Sequence, residues 1–303
     1  MEPTDKLLDR DISAALAEPI AAVGSPTLQE VVDYAIRVFE RCNQTAKGSD
    51  ENIGLLFSFY GLIEMLDGAE VLLAKGAVGP ATVCLRAGLE ALLSQEWVAR
   101  NVSSHGMAYM VSEVHRRISE IDRYDPKTHM GKQLREALEE KEMGDLDRIP
   151  ELLHPEQSRE SLHGLLMKPH YVAAEAEWQR TKKKLKRSKP PFFALWDGPT
   201  SLELLAKELK RAGEYYVLYG SWSRTAHAGD LQRLLRGVEG KPAVQRLRNN
   251  EGLATLYSLA ITLGLAGIDA ALSTYRSGEL EGRGRWYFEK VQDAYLKLAK
   301  APD

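Results

Sequence analysis

Two short stretches of this chain contain polar residues that helical spacing could bring together as a reactive group. In the first, Arg86 and Glu90 lie four positions apart, so a helix would put both side chains on one face. The residues from Cys84 to Leu93 are otherwise apolar or small, which predicts that this face is at least half buried. A buried guanidinium and carboxylate must pair or find other partners, because an unpaired buried charge is costly. The pair is interpreted as an internal salt bridge or as an arginine positioned to contact an anionic group.

The second stretch carries Tyr216, Ser223, Arg224 and His227. Ser223 and His227 are four apart, and Arg224 also neighbours the histidine on a helix. A histidine near a helix C-terminus has its protonated form stabilised by the helix dipole, so His227 could act as a general acid or base. The alternative is that His227 hydrogen-bonds a carbonyl or Glu90 and only locks helix packing.

Other kinds of site are poorly supported. No Gly-x-Ser-x-Gly stretch occurs, and the serine and histidine have no identified acidic partner for a hydrolase triad. Glu151-x-x-His154 and Glu160-x-x-His163 have the spacing of di-iron bundles, but they lie close together in a proline-broken stretch and read as coincidence. Phosphate-binding glycine loops are absent. The sequence therefore predicts neither a metal nor a cofactor.

One segment concentrates positive charge: Lys182, Lys183, Lys184, Lys186 and Arg187. Such a run is usually a solvated helix face, but it could also follow a phosphate backbone. The net charge of −3 gives the whole molecule no attraction to nucleic acid, so any RNA contact must come from a local patch of this kind.

The sequence predicts that helices carry both polar stretches. Apolar residues recur at three- and four-residue spacings, and no long period-two alternation occurs. The expected helices include about 5–18 before Pro19, a helix opening at Ser25-Pro26, and two helices at 51–75 and 80–100 that form an antiparallel hairpin. Further helices are expected at 214–227 and 251–275, with residues 229–250 mixed. The predicted fold class is all-α, a multi-helix bundle with this hairpin at its centre.

The sequence favours a single domain, 1–303. Its core would comprise about 26–103 and 195–300, and a variable region at 125–190 would protrude from it. Residues 253–272 are long enough to cross a bilayer, but their polar residues and weak flanks favour a buried core helix. The charged N-terminus does not resemble a signal peptide, and Cys42 and Cys84 fit free thiols. A soluble cytoplasmic protein without membrane contact is expected.

The two polar stretches together resemble a known family. Its pattern fits Gly76, Leu85, Arg86, Glu90 and Ala91, with Thr82 in place of alanine. Later come Trp196, a capped helix and the Tyr216, Ser223 and His227 series. This resembles an uncharacterised bacterial helical family of unknown function, abortive-infection-like and distantly similar to the HEPN (higher eukaryote and prokaryote nucleotide-binding) superfamily. The resemblance covers about 50–100 and 190–230.

The resemblance implies a protein of bacterial defence or toxin type, and RNA as the substrate if it is an enzyme. HEPN ribonucleases use an arginine followed four to six residues later by a histidine, usually paired across a dimer, in metal-independent cleavage. Here Arg224 is only three residues before His227, so Arg86 would have to supply the guanidinium if Arg224 does not. A homodimer is implied as well. The alternative is a non-catalytic interaction protein that recognises a protein partner through 125–190.

Overall fold

A computed structural model describes residues 7–139, 154–220, 235–238, 241–244 and 246–301. The chain is all-α, as predicted, with many helix–helix contacts and one small β-hairpin. The helices of the first two-thirds are α1 (Arg10–Ala46), α2 (Asp50–Leu73), α3 (Val78–Arg100), α4 (Val102–Tyr124), α5 (His129–Glu139), α6 (Pro155–Leu166) and α7 (Pro169–Leu185).

The remaining elements begin with a 3-10 turn, Phe192–Asp197. They continue with α8 (Leu202–Glu208), the short α9 (Ala212–Glu214), a π-helical turn (Tyr215–Gly220), β1 (Leu235–Val238), β2 (Lys241–Val244), α10 (Leu253–Tyr275), a 3-10 turn (Ser277–Glu279), α11 (Leu280–Lys290) and α12 (Gln292–Lys300). The two strands pair antiparallel, with Leu235 opposite Val244. No strand was predicted in this region.

By their contacts the residues divide into two compact units. Unit 1 comprises 1–100 and 202–303, and unit 2 comprises 101–201. The single domain remains a prediction.

The core of unit 1 is made by α1, α2, α3 and α10, and the predicted α2–α3 hairpin is at its centre. The large side chains that are completely buried in this core include Leu28, Leu55, Phe59, Leu62, Leu66, Leu85, Leu89, Leu92, Ile261 and Leu272. Each such side chain contributes about 1.5–3 kcal/mol relative to exposure. Packing on this scale fixes the register of α3, and with it the position of Arg86.

α10 is long and apolar enough to cross a membrane by length and composition. It packs on α1, α2 and α3, and its buried residues include Tyr257 and Ile268. A buried core helix and a membrane-spanning helix share this length and composition.

Helix α1 corrects one prediction. Pro19 and Pro26 were expected to separate two helices, but α1 runs through both of them without a break. Ser25 was expected to cap the second helix; its hydroxyl instead donates to Glu70 of α2, which Gln29 also contacts at 3.1 Å. Tertiary packing of α1 on α2 and α10 offsets the hydrogen bonds that the prolines remove.

Cys42 is buried and Cys84 is half-buried, and both are free thiols, as predicted. Burial raises the pKa of both thiols, that of Cys42 to about 11. A thiol with a raised pKa is a poor nucleophile, so neither cysteine is a candidate for catalysis.

Unit 2 has its own core, which α4, α6, α7 and the Phe192–Asp197 turn enclose. Its main buried residues are Met107, Val111, Val114, Ile118, Leu166, Tyr171, Trp178 and Leu195. Asn101 caps the start of α4 by accepting a hydrogen bond from the Ser104 backbone N–H at 3.2 Å.

Candidate functional site

The Arg86–Glu90 pair lies on α3, with Arg86 Nε 3.3 Å from Glu90 Oε1. The Arg86 side chain is only 17% exposed, whereas that of Glu90 is 44% exposed. The ion pair predicted from the i, i+4 spacing is therefore present. It is asymmetric, because its cation is buried more deeply than its anion.

A second partner of Arg86 comes from the π-helical turn. Arg86 Nη2 donates to the Tyr219 hydroxyl at 2.8 Å, and the guanidinium carbon lies 4.2 Å from the centre of that ring. The Tyr215 ring stacks on Tyr219 at 4.8 Å, with 14° between the ring planes. A hydrogen bond and a cation–π contact thus hold the turn against α3. The chain immediately before Ser223 and His227 therefore lies at Arg86.

Tyr216 lies apart from this pair. Its hydroxyl donates to Glu203 Oε1 on α8 at 2.8 Å, and Lys207 Nζ lies 2.6 Å from the same oxygen. These contacts, with Lys207 the larger, lower the pKa of Glu203. The Tyr216 side chain is exposed. Tyr215 and Tyr219 are i, i+4 neighbours facing Arg86, whereas Tyr216 faces α8.

Ser223, Arg224 and His227 lie outside the described residues. Their convergence on Arg86 and Glu90 stays a prediction.

Sequence reasoning missed a second charged group in unit 1. Arg211 makes two contacts with Glu96 of α3, Nη2–Oε1 at 2.5 Å and Nε–Oε2 at 3.1 Å. It also contacts Glu214 at 2.9 Å. The hydrogen bonds that Arg211 donates, first of all to Glu96, raise the pKa of Arg211, so its charge is fixed. Only the three-residue spacing of Arg211 and Glu214 could be read from the sequence; the longer contact spans 115 positions.

Glu96 and Arg211 line an open cleft of about 420 Å³ whose other wall is formed by α10, Tyr287 and Tyr295. Asp269 on α10 pairs there with Arg283, with Nη2–Oδ2 at 2.8 Å. Burial raises the pKa of Asp269, and Arg283 partly offsets this. The cleft is polar, but its charges are largely committed to one another.

The basic segment lies in unit 2, at the C-terminal end of α7. Lys184 Nζ pairs with Asp197 at 2.6 Å, and Arg187 Nη1 donates to the Thr200 carbonyl at 3.0 Å. Lys182 Nζ lies 5.0 Å from the centre of the Trp178 ring. Lys183 and Lys186 are exposed. The segment is therefore a real concentration of positive charge on a defined surface.

No group of three or more His, Cys, Asp or Glu residues that could hold a metal occurs within the described ranges. Of the two glutamate–histidine spacings, Glu160 and His163 are exposed on α6, and Glu151 lies outside those ranges.

A family model matches residues 52–242, which is more than half of the chain, and it describes a family of unknown function, DUF5677. The chain belongs to this family. No curated protein and no solved structure matches the chain. The DUF5677 match includes both predicted polar stretches and the basic segment. Membership of DUF5677 does not by itself name an activity.

Proposed function

We propose that this DUF5677 protein is a HEPN-like protein of bacterial defence or toxin type and that it cleaves RNA without a metal ion. His227 is the general acid or base, and Arg86, with Arg224 as the second candidate, stabilises the phosphate. Ser223 would complete the polar surroundings of the site, and Glu90 orients Arg86, whereas Tyr216 faces α8 and takes no part.

One observation carries the proposal: the contact between Arg86 and Tyr219. It joins the arginine of the hairpin to the segment that continues into Ser223, Arg224 and His227. Tyr219 precedes His227 by eight residues, so a short length of chain connects the guanidinium to the imidazole. The partial exposure of Arg86 leaves it able to meet an anionic group.

The chemistry needs only these side chains. An imidazole removes the proton of an RNA 2′-hydroxyl, whose oxygen attacks the adjacent phosphorus. The bond from phosphorus to the 5′-oxygen breaks, and that oxygen takes a proton. A guanidinium stabilises the negative charge that develops on the phosphorane oxygens. The products are a 2′,3′-cyclic phosphate and a 5′-hydroxyl.

The test is cleavage of single-stranded RNA in excess chelator by the wild type and by His227→Ala. We expect the variant to lose at least about a hundredfold in rate, the usual scale for general acid–base catalysis, with an unchanged melting temperature. His129→Ala, which changes an exposed histidine on α5, is the matched control and should retain full activity. Replacement of the ribose by deoxyribose should abolish cleavage. Equal cleavage by the wild type and His227→Ala would refute the proposal.

A non-catalytic interaction protein is the second candidate, and one observation favours it. Arg86 is engaged by both Glu90 and Tyr219, as a purely structural arginine would be. If Arg86 is purely structural, Arg86→Gln lowers the free energy of unfolding by about 1–3 kcal/mol, and neither the wild type nor the variant cleaves RNA. Partner recognition would then belong to the 125–190 region. Cleavage that is lost in Arg86→Gln at a temperature where the variant is fully folded favours the nuclease instead.

A further inference from the structure

An exposed tryptophan of unit 2 is held in an unusual backbone conformation. Trp196 has φ 54° and ψ 40°, and Asp197 follows with φ 63°. Bulky residues rarely adopt this left-handed region, and a pair in succession persists only where its surroundings impose it. The Trp196 side chain is nevertheless 40% exposed. Part of the residue therefore remains open to solvent.

A buried carboxylate on α7 imposes the turn. Glu177 accepts a hydrogen bond from the Trp196 backbone N–H at 2.7 Å. It also accepts two from Arg180, at 2.8 and 2.9 Å, and one from the Thr181 hydroxyl at 3.1 Å. Glu177 is only 9% exposed. The backbone of Trp196 is thus held by a network that centres on the Glu177 carboxylate.

The same turn is tied to the basic end of α7. Asp197 pairs with Lys184 at 2.6 Å and with Arg180 at 3.2 Å. From Trp178 to Trp196 the chain has no acidic residue and carries seven cations. They are Arg180, Lys182, Lys183, Lys184, Lys186, Arg187 and Lys189. An exposed tryptophan on a fixed backbone therefore lies beside a cationic helix end.

We propose that this surface, the Trp196 platform (Trp196 with Lys182, Lys183, Lys184, Lys186 and Arg187), binds single-stranded RNA. The indole stacks on a base, and the cations contact phosphates, as in proteins that hold single strands without sequence preference. The choice of RNA rather than DNA rests on the proposed function. The platform gives unit 2 a role that no family match assigns.

The chemistry of the surface favours a nucleic acid over an anionic membrane. Between residues 178 and 201, Trp196 is the only large hydrophobic side chain that the structure describes as exposed. A membrane-binding surface buries several apolar side chains, whereas stacking on a base needs one rigid ring. The neighbouring positive charge complements a phosphate backbone.

The test is the binding of a fluorescein-labelled single-stranded RNA of about 12 nucleotides, measured by anisotropy with the full chain in a His227→Ala background. We expect Trp196→Ala to weaken binding about 5- to 150-fold, the range for loss of one stacked base, and Trp196→Phe to weaken it less. Tyr124→Ala is the matched control: that ring is in the same unit and is 42% exposed. It should bind like the parent.

The charged part of the platform has its own readout. Lys183→Gln with Lys186→Gln should lower the slope of log affinity against log salt by about 1.4, or about 0.7 for each lost phosphate contact. Lys168→Gln, at the opposite end of α7, should leave the slope unchanged. Melting temperatures of all variants identify any that are misfolded. If Trp196→Ala is misfolded, Trp196→Phe replaces it in the comparison.

The outcomes separate this inference from the proposed function. Equal affinity of Trp196→Ala, Tyr124→Ala and the parent would overturn the platform, while RNA cleavage by the wild type would still support the nuclease. Binding of phosphatidylserine vesicles without binding of RNA would also overturn it. RNA binding that depends on Trp196, with no cleavage by the wild type, would support the platform and refute the nuclease.

Discussion

At the residue scale, two charged side chains each hold a turn against a helix: Arg86 bonds Tyr219 of the π-helical turn, and Glu177 bonds the Trp196 backbone. Arg86 and Glu90 were paired correctly because helical spacing alone brings them together. The contact of Arg86 with Tyr219 spans 133 positions, and no spacing rule reaches across such a distance. The sequence also did not predict the role of Glu177, because its carboxylate accepts a hydrogen bond from a backbone N–H, that of Trp196, in a left-handed turn. Tertiary packing decided the Arg86–Tyr219 and Glu177–Trp196 contacts.

Glu177 provides a prediction about pH. Hydrogen bonds from Arg180, opposed by burial and assisted by the Trp196 N–H and Thr181, lower its pKa. Its contribution to stability is therefore complete above the unfolded pKa of about 4.3 and is lost as pH falls through the lower folded pKa. Glu177→Gln should cost about 1.5–3 kcal/mol at pH 7, because it weakens charge-assisted hydrogen bonds.

Urea denaturation at pH 7 and at about pH 3 measures this effect. The difference between the wild type and Glu177→Gln should shrink as pH falls. Glu113→Gln is the control, because its partner Arg116 is exposed and such a pair contributes at most about 1 kcal/mol. A difference that stays constant with pH would show that the Glu177 carboxylate charge does not stabilise the fold.

At the element scale, helix identity was largely predictable and helix ends were less so. The α2–α3 hairpin was expected at 51–75 and 80–100 and is found at Asp50–Leu73 and Val78–Arg100. Its long apolar periodicity specified it well. The prolines of α1 gave a wrong boundary, because a penalty that would end an isolated helix is offset by core contacts. The strands β1 and β2, of four residues each, were too short to show a pattern.

Close packing of α1 on α10 leads to the next prediction. A Cβ added at Gly24 would lie 2.4 Å from Cδ2 of Tyr257, a fully buried ring that cannot move aside. Gly24→Ala should therefore destabilise the protein by about 1–3 kcal/mol. Gly61→Ala, in α2, meets nothing within 4 Å and should stabilise by about 0.5–1 kcal/mol. Thermal melts should show a lower melting temperature for Gly24→Ala and a higher one for Gly61→Ala. A higher melting temperature for Gly24→Ala would contradict the close packing of α1 on α10.

At the scale of the whole molecule, the all-α class was predictable from composition and periodicity. The single-domain parse, the cytoplasmic location and the homodimer stay predictions. The structure does divide the described residues into a discontinuous unit 1 and a contiguous unit 2. Sequence patterns did not reveal this division, because no linker of distinctive composition marks residues 100 or 201.

The homodimer can be tested by light scattering coupled to size-exclusion chromatography. At micromolar concentration we expect twice the mass of one chain, as the resemblance implies. Because Arg86 bonds Tyr219 of its own chain, we expect each site to take its arginine and histidine from one subunit. Mixing inactive Arg86→Gln and His227→Ala subunits should then restore no cleavage. Restored cleavage would mean that the two residues come from different subunits.

The discontinuity of unit 1 has a consequence for biosynthesis. The apolar faces of α1, α2 and α3 are covered by α10, which leaves the ribosome only after about residue 275 has been made. At elongation rates of about 5–20 residues per second, the first three helices wait roughly 9 to 35 seconds for their partner. Residues 101–201 are complete well before that, since all of unit 2 is contiguous. We therefore expect the apolar faces of α1, α2 and α3 to be exposed on the nascent chain, where a chaperone could bind them.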